Sequence, residues 1–117
     1  MKLLGIRFCC VEDDADPMLA FFNDGLGLKN TFEQHEGFKG GVFPNQSEDS
    51  WIEVWEASEQ MPKGIMLQLF VDNVDEYAEH AKKQGLSING PFEAHGEKMF
   101  YVVAPNGMSM SVQSKMS

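Results

Sequence analysis

Short apolar runs alternate along this chain with one stretch per half in which apolar positions recur at helical spacing, and both halves follow the same order. In the second half GIMLQLFV, residues 64–71, reads as a strand. DNVDEYAEHAKKQG follows it as an amphipathic helix, with Asp72 or Asn73 as N-cap, acids in its first turn, lysines in its last and Gly85 as its stop. Val74, Tyr77, Ala78 and Ala81 form the face expected against a sheet, while Asp75, Glu79 and Lys82 face water. LSI leads to a turn at Asn89-Gly90-Pro91, KMFYVV alternates around Tyr101, and Pro105-Asn106-Gly107 turns the chain into MSMSV.

The first half repeats the order. LLGIRFCCV reads as a strand, Asp16-Pro17 as cap and first helical residue, MLAFFNDGLG as a helix, and Gly25 or Gly27 as its stop. Phe32 to Phe43 offers two short strands around Glu36-Gly37, and WIEVWEA alternates with period two after the polar loop PNQSEDS. The fold class predicted is α+β, β-α-β-β-β written twice. Residues 1–117 form a single domain, with module 1 at 1–57, a joint at 58–63 and module 2 at 64–117. A repeat of this size implies two half-sheets facing each other.

Strand alternation sorts the side chains onto faces. On the first strand Leu4, Ile6, Phe8 and Cys10 form the apolar set expected to meet the helix, leaving Arg7 and Cys9 opposite. On the last, Met108, Met110 and Val112 belong to the core, leaving Ser109, Ser111 and Gln113. Ile52 and Val54 are core positions, so Trp51, Glu53 and Trp55 share the other face, as do Met66, Gln68 and Phe70 in the next strand. An aromatic hollow with few charges is what a small-molecule pocket needs, because burial supplies affinity and fixed polar groups supply orientation. The same Trp and Met residues also suit a closed core or a dimer interface.

The net charge of −9 argues against a nucleic-acid partner, which needs clustered Lys and Arg. Cys9 and Cys10 are adjacent, so they point to opposite faces and form neither a disulfide framework nor a metal spacing. Structural thiols are expected, although Arg7 on the face of Cys9 offers the cation that a reactive thiol needs. No apolar run reaches membrane length, and MKLLGI is too brief for a secretory signal before Arg7 interrupts it. A cytoplasmic protein with no membrane partner is expected. The three histidines, His35, His80 and His95, share no metal-ligand spacing, and His95 beside Glu93 and Glu97 is at most a general base at a pocket mouth.

DPMLAFFNDGLGLK, VDNVDEYAEHAKKQGL and FYVVAPNGMSMSV, taken in order over nearly the whole chain, resemble the vicinal oxygen chelate superfamily of glyoxalases, bleomycin resistance proteins and extradiol dioxygenases. The resemblance implies two βαβββ modules forming a curved mixed sheet around a central cleft, with the helices on its outer face. It also implies a homodimer. Metal-dependent members place their ligands at positions that here carry Arg7, Glu53, Met66 and Ser111, and a guanidinium, a thioether and a hydroxyl do not suit a divalent ion. No metal and no cofactor are expected, and an Arg7–Glu53 ion pair completed by Gln68 or Ser111 is expected in the metal's place.

Two readings of function stay open. One is a metal-independent protein binding a small organic ligand through Arg7, Cys9, Trp51, Glu53, Trp55, Met66, Gln68, Phe70, Tyr101, Ser109 and Ser111, similar to the bleomycin resistance branch. The other is a lyase, isomerase or dioxygenase-related enzyme acting on a small carbonyl or carboxylate compound, with Arg7 and Glu53 as candidate catalytic groups. The acidic charge and aromatic wall favour a cationic ligand, and Arg7 favours a small anion.

Overall fold

The structure is a computed structural model and describes residues 1–32, 39–46, 48–59 and 61–116. The chain is α+β and divides into two compact units, one of Met1–Ile6 with Met66–Ser117, the other of Arg7–Ile65. Strand β1, Leu3–Glu12, carries the chain from the first to the second. Two hydrogen bonds tie the N-terminal segment to the rest of the C-terminal unit. The N–H of Lys2 donates to Asp72 Oδ1 at 2.7 Å, which holds that carboxyl below its ordinary range, and the N–H of Asp72 donates to the Lys2 carbonyl.

The C-terminal unit contains β4 (Gly64–Val71), α2 (Val74–Lys83), β5 (Asn89–Ala94), β6 (Glu97–Val103) and β7 (Ser109–Lys115). This is the predicted β-α-β-β-β order. β4 runs parallel to β7, which pairs antiparallel with β6, which pairs antiparallel with β5. Asn73 is the cap of α2: its Oδ1 accepts from the N–H groups of Asp75 and Glu76, two donors that the helix leaves without carbonyls. Asp75 and Glu76 in the first turn and His80, Lys82 and Lys83 in the last complement the helix dipole, and Gly85 at φ 81° ends it. The face read from the sequence is the buried one. Val74 and Ala78 pack with Val71, Phe100 and Val112, and Leu69, Tyr77 and Ile88 close around them. The Pro105-Asn106-Gly107 turn forms as expected, with Gly107 at φ 88° and Asn106 Oδ1 accepting from the Met108 N–H. Asn89-Gly90-Pro91, expected as a turn, lies within β5 instead. The pairing of Asn89 with Tyr101 starts that edge strand, whose register shifts before Phe92.

In the second unit β3 (Trp51–Glu56) lies between β1, to which it is parallel, and β2 (Gly40–Pro44), to which it is antiparallel. The strand expected from Phe32 runs into residues 33–38, so it and His35 fall outside the described residues. Helix α1 (Asp16–Ala20) starts one residue earlier than predicted, capped by Ala15, and continues as a π-helical turn over Phe21–Gly25, with Gly27 at φ 77° beyond it. Cys10, Ala15, Phe43 and Val54 are the buried core, with Met18, Leu19, Phe22 and Ile52 packed against it.

The cover expected over β1 is missing. Leu4, Ile6 and Phe8 lie on the helix-facing side of β1, yet they are 45 %, 49 % and 39 % exposed, and of that set Cys10 alone is buried. The reason is length. About ten residues of α1 and its π turn span roughly 15 Å, and they pack at the Cys10 end of the strand.

Candidate functional site

β1 and β3 bring together the five sequence candidates of the second unit. Their parallel register sets Arg7 opposite Trp51, Cys9 opposite Glu53 and Val11 opposite Trp55, and all six share a face by strand alternation. Arg7 is 3 % exposed. Its guanidinium carbon lies 3.6 Å above the Trp51 ring centroid, and its Nε donates to the Asp49 carbonyl at 3.3 Å. The expected Arg7–Glu53 ion pair is not among the described bonds. Register explains this, because the indole of Trp51 and not Glu53 is the side chain that faces Arg7 across the strands.

Glu53 is held by its neighbour two residues on, whose indole Nε1 donates to Oε1 at 3.1 Å. Its other oxygen, Oε2, is buried without a hydrogen-bond partner, and so is Trp51 Nε1. A buried polar group left unpaired costs about 1–3 kcal/mol, and more when it is charged. The Trp55 ring is fixed from both sides. Phe32 meets it edge to face at 4.8 Å, and Gly40 lies opposite it in β2, where an added Cβ would sit 2.3 Å from Trp55 Cε3 and 2.2 Å from the Val54 carbonyl.

Cys9 is buried in the same cluster, and its thiol is pushed up to about 12, by burial first, then by Glu53 and Cys10. Arg7 does not activate it. Cys10 is also raised, by burial and then by Glu12. Both are structural thiols, inert at neutral pH.

The C-terminal unit carries the remaining candidates. Gln68, Ser111 and Tyr101 are register neighbours across β4, β7 and β6; Met66, Ser109 and Val103 form the next rank, and Phe70, Gln113 and Met99 the one beyond. Polar groups do collect on this face, and Ser111, Gln113 and Glu97 bond to one another. Ser111, 1 % exposed, donates to Gln113 Oε1 at 2.7 Å, and Gln113 Nε2 donates to Glu97 Oε1 at 2.8 Å. Phe70 is buried, Gln68 is half-buried, and Tyr101 packs on Phe92 at 5.5 Å.

At one end of these strands a cavity of about 400 Å³ opens between the start of β7, the end of β6 and the α2–β5 connection. Met66, Tyr101 and Ser109 line it as the sequence suggested. Leu86, Ser87, Asn89, Val102, Val103 and Met110 complete it and were missed. The signal available was weak: LSIN is a charge-free stretch following a strongly charged helix. His80 and His95 are exposed, His95 at φ 52° in the β5–β6 turn, and neither touches these groups in any described bond.

The four positions that the resemblance assigns to metal ligands do not make a donor set. Arg7 is a cation over an indole, the Ser111 hydroxyl is donated to Gln113, and Met66 offers a soft thioether where Glu53 offers a hard carboxylate. Among the described residues no three His, Cys, Asp or Glu side chains gather where they could hold an ion. No described helix is long and apolar enough to cross a membrane.

The family model described as Glyoxalase/Bleomycin resistance protein/Dioxygenase superfamily matches residues 7–109. Among curated proteins no sequence matches the chain. Solved structures similar to it include a glyoxalase/bleomycin resistance protein/dioxygenase superfamily member from Vibrio splendidus 12B01, 15 % identical, with a TM-score of 0.72 over 94 % of this chain and 97 % of that one. A variant of Streptomyces coelicolor methylmalonyl-CoA epimerase in complex with 2-nitronate-propionyl-CoA is 15 % identical, with a TM-score of 0.71 over 100 % and 96 %. A chain described as NAD-dependent benzaldehyde dehydrogenase from Legionella pneumophila is 16 % identical, with a TM-score of 0.71 over 95 % and 99 %. At these identities the likeness is one of fold, and the different names show how little fold alone says about chemistry.

Proposed function

Because the chain belongs to the glyoxalase/bleomycin resistance protein/dioxygenase superfamily, we propose that it is a metal-independent small-molecule-binding protein that holds an organic ligand against Trp51, Glu53 and Trp55. The observation that carries this reading is the pair of buried, unpartnered polar atoms, Trp51 Nε1 and Glu53 Oε2. One is a donor and the other an acceptor, on residues two apart on one strand and so about 7 Å apart along it. A planar ligand bearing an acceptor for the indole and a donor for the carboxylate satisfies both. The Arg7 charge is already engaged with the Trp51 ring, so the free carboxylate oxygen favours a ligand with an N–H or O–H donor over a simple anion.

Tryptophan fluorescence titrated with cationic drugs, neutral amides and small carboxylates tests this. Donor-bearing ligands are expected to quench Trp51 and Trp55, and Glu53→Gln to weaken them about ten-fold or more, equivalent to about 1.4 kcal/mol. No quenching by any class, or equal affinity in the Glu53→Gln protein, rejects the site. Native mass spectrometry with nickel, zinc and iron tests metal independence, which stoichiometric metal would overturn.

The same free oxygen favours a second reading, an enzyme in which Glu53 Oε2 accepts a proton from the carbon next to a small carbonyl or carboxylate group. Protein-dependent exchange of that hydrogen for solvent deuterium, lost in Glu53→Gln, would establish it.

We also place the protein in the cytoplasm as a homodimer of single-domain chains whose modules meet at residues 58–63. The exposed Leu4, Ile6 and Phe8 stripe supports the dimer, since the same uncharged stripe of a second copy is a matching cover for it. A single thermal transition and a cytosolic fraction on cell lysis are the expected results for domain organisation and location.

A further inference from the structure

We propose that the cavity of the C-terminal unit is a second binding site, lined by none of the Trp51–Glu53 cluster, and that it takes an uncharged, mainly apolar ligand carrying a hydroxyl or amide group. Its volume of about 400 Å³ suits a small organic molecule. Its wall is the unusual part. The chain has 18 acidic and 9 basic residues, yet none of the residues lining this cavity is charged. An ion entering it would give up part of its water and find no counter-charge, whereas an apolar body loses nothing.

Met66 and Met110 supply side chains that adjust to an irregular apolar shape, and Leu86 and Val103 stand 52 % and 66 % exposed at the same cavity, apolar area that an occupant would cover. Ser87, Asn89 and Ser109 provide a hydroxyl, an amide and a second hydroxyl. Such groups orient a neutral polar function and do not select a formal charge. None of Arg7, Trp51, Glu53 or Trp55 lines this cavity.

A matched pair of fluorescent probes isolates the charge. N-phenylnaphthylamine and anilinonaphthalene sulfonate share an aromatic body and differ by the sulfonate. The neutral probe is expected to bind about ten-fold more tightly or better. Ser87 lies in the exposed connection after α2, so substitutions there leave the fold intact, as circular dichroism will verify. Ser87→Asp is expected to weaken the neutral probe about ten-fold, while Ser87→Asn, the same shape without the charge, retains it. Glu53→Gln is expected to leave it unchanged. Equal affinity for the two probes, or no difference between the Asp and Asn variants, would overturn the proposal. Loss of the probe in Glu53→Gln alone would also overturn it, by assigning the probe to the Trp51 face.

Discussion

The guanidinium carbon of Arg7 lies over Trp51, the residue opposite it in the β1–β3 register, at 3.6 Å from the ring centroid. A cation this deeply buried is tolerated because the indole face and the Asp49 carbonyl share its charge. Lysine keeps the charge and loses the guanidinium over the ring, so Arg7→Lys is expected to cost about 1–2 kcal/mol and to shift the tryptophan emission. Urea unfolding with an unchanged midpoint would show that the contact contributes nothing.

Gly40 is the floor beneath Trp55. An added Cβ meets main chain on one side, the Val54 carbonyl at 2.2 Å, and the indole on the other. Neither the carbonyl nor an indole locked by Phe32 and Glu53 moves freely. Gly40→Ala is expected to destabilise the protein by about 2 kcal/mol and to weaken any ligand that quenches Trp55. A stable variant with wild-type quenching would mean that the ring is not held there.

Cys9 sets an alkaline limit. Its thiol ionises near 9.0 ordinarily and at about 12 in the folded chain, so between those values the folded state binds the extra proton. Stability from this group is therefore complete below pH 9 and falls as the pH rises toward 12, by up to about 1.4 kcal/mol per pH unit. Chemical unfolding across that window should show the decline in the native protein and a shallower one in Cys9→Ala. Iodoacetamide should label neither cysteine in the folded protein at neutral pH.

Ile6 is the middle of the exposed β1 stripe, 49 % accessible between Leu4 and Phe8. If two copies cover it, Ile6→Glu places two carboxylates against each other in an apolar contact. Sedimentation equilibrium is expected to give a dimer for the native chain and a monomer for the variant. A native monomer removes the dimer from the functional reading.

The second helix and the last turn were legible because their controlling interactions are local. Asn73 caps α2 with its own side chain, Gly85 and Gly107 take backbone angles that favour glycine, and the Val74–Ala78–Ala81 face follows from helical period alone. Period two likewise sorted Trp51, Glu53 and Trp55 from Ile52 and Val54, and it placed Ser109 and Ser111 on the face away from Val112. Alternation failed on β1, where the pattern was right about sides and wrong about cover, because whether Leu4, Ile6 and Phe8 are buried depends on how far α1 reaches.

From its order of residues alone, then, this protein determines the β-α-β-β-β order of its C-terminal unit, the Asn73 cap, the Pro105-Asn106-Gly107 turn and the family to which the chain belongs, since the cap and the turn are set by contacts a few positions apart. Only the tertiary structure decided that Arg7 answers Trp51 and not Glu53, that Ser111 is already committed to Gln113, and that Trp51 Nε1 and Glu53 Oε2 are left without partners. Those outcomes depend on which strands lie side by side and in what register, and a hydrogen bond or a desolvated charge is created or withheld by that placement across the chain.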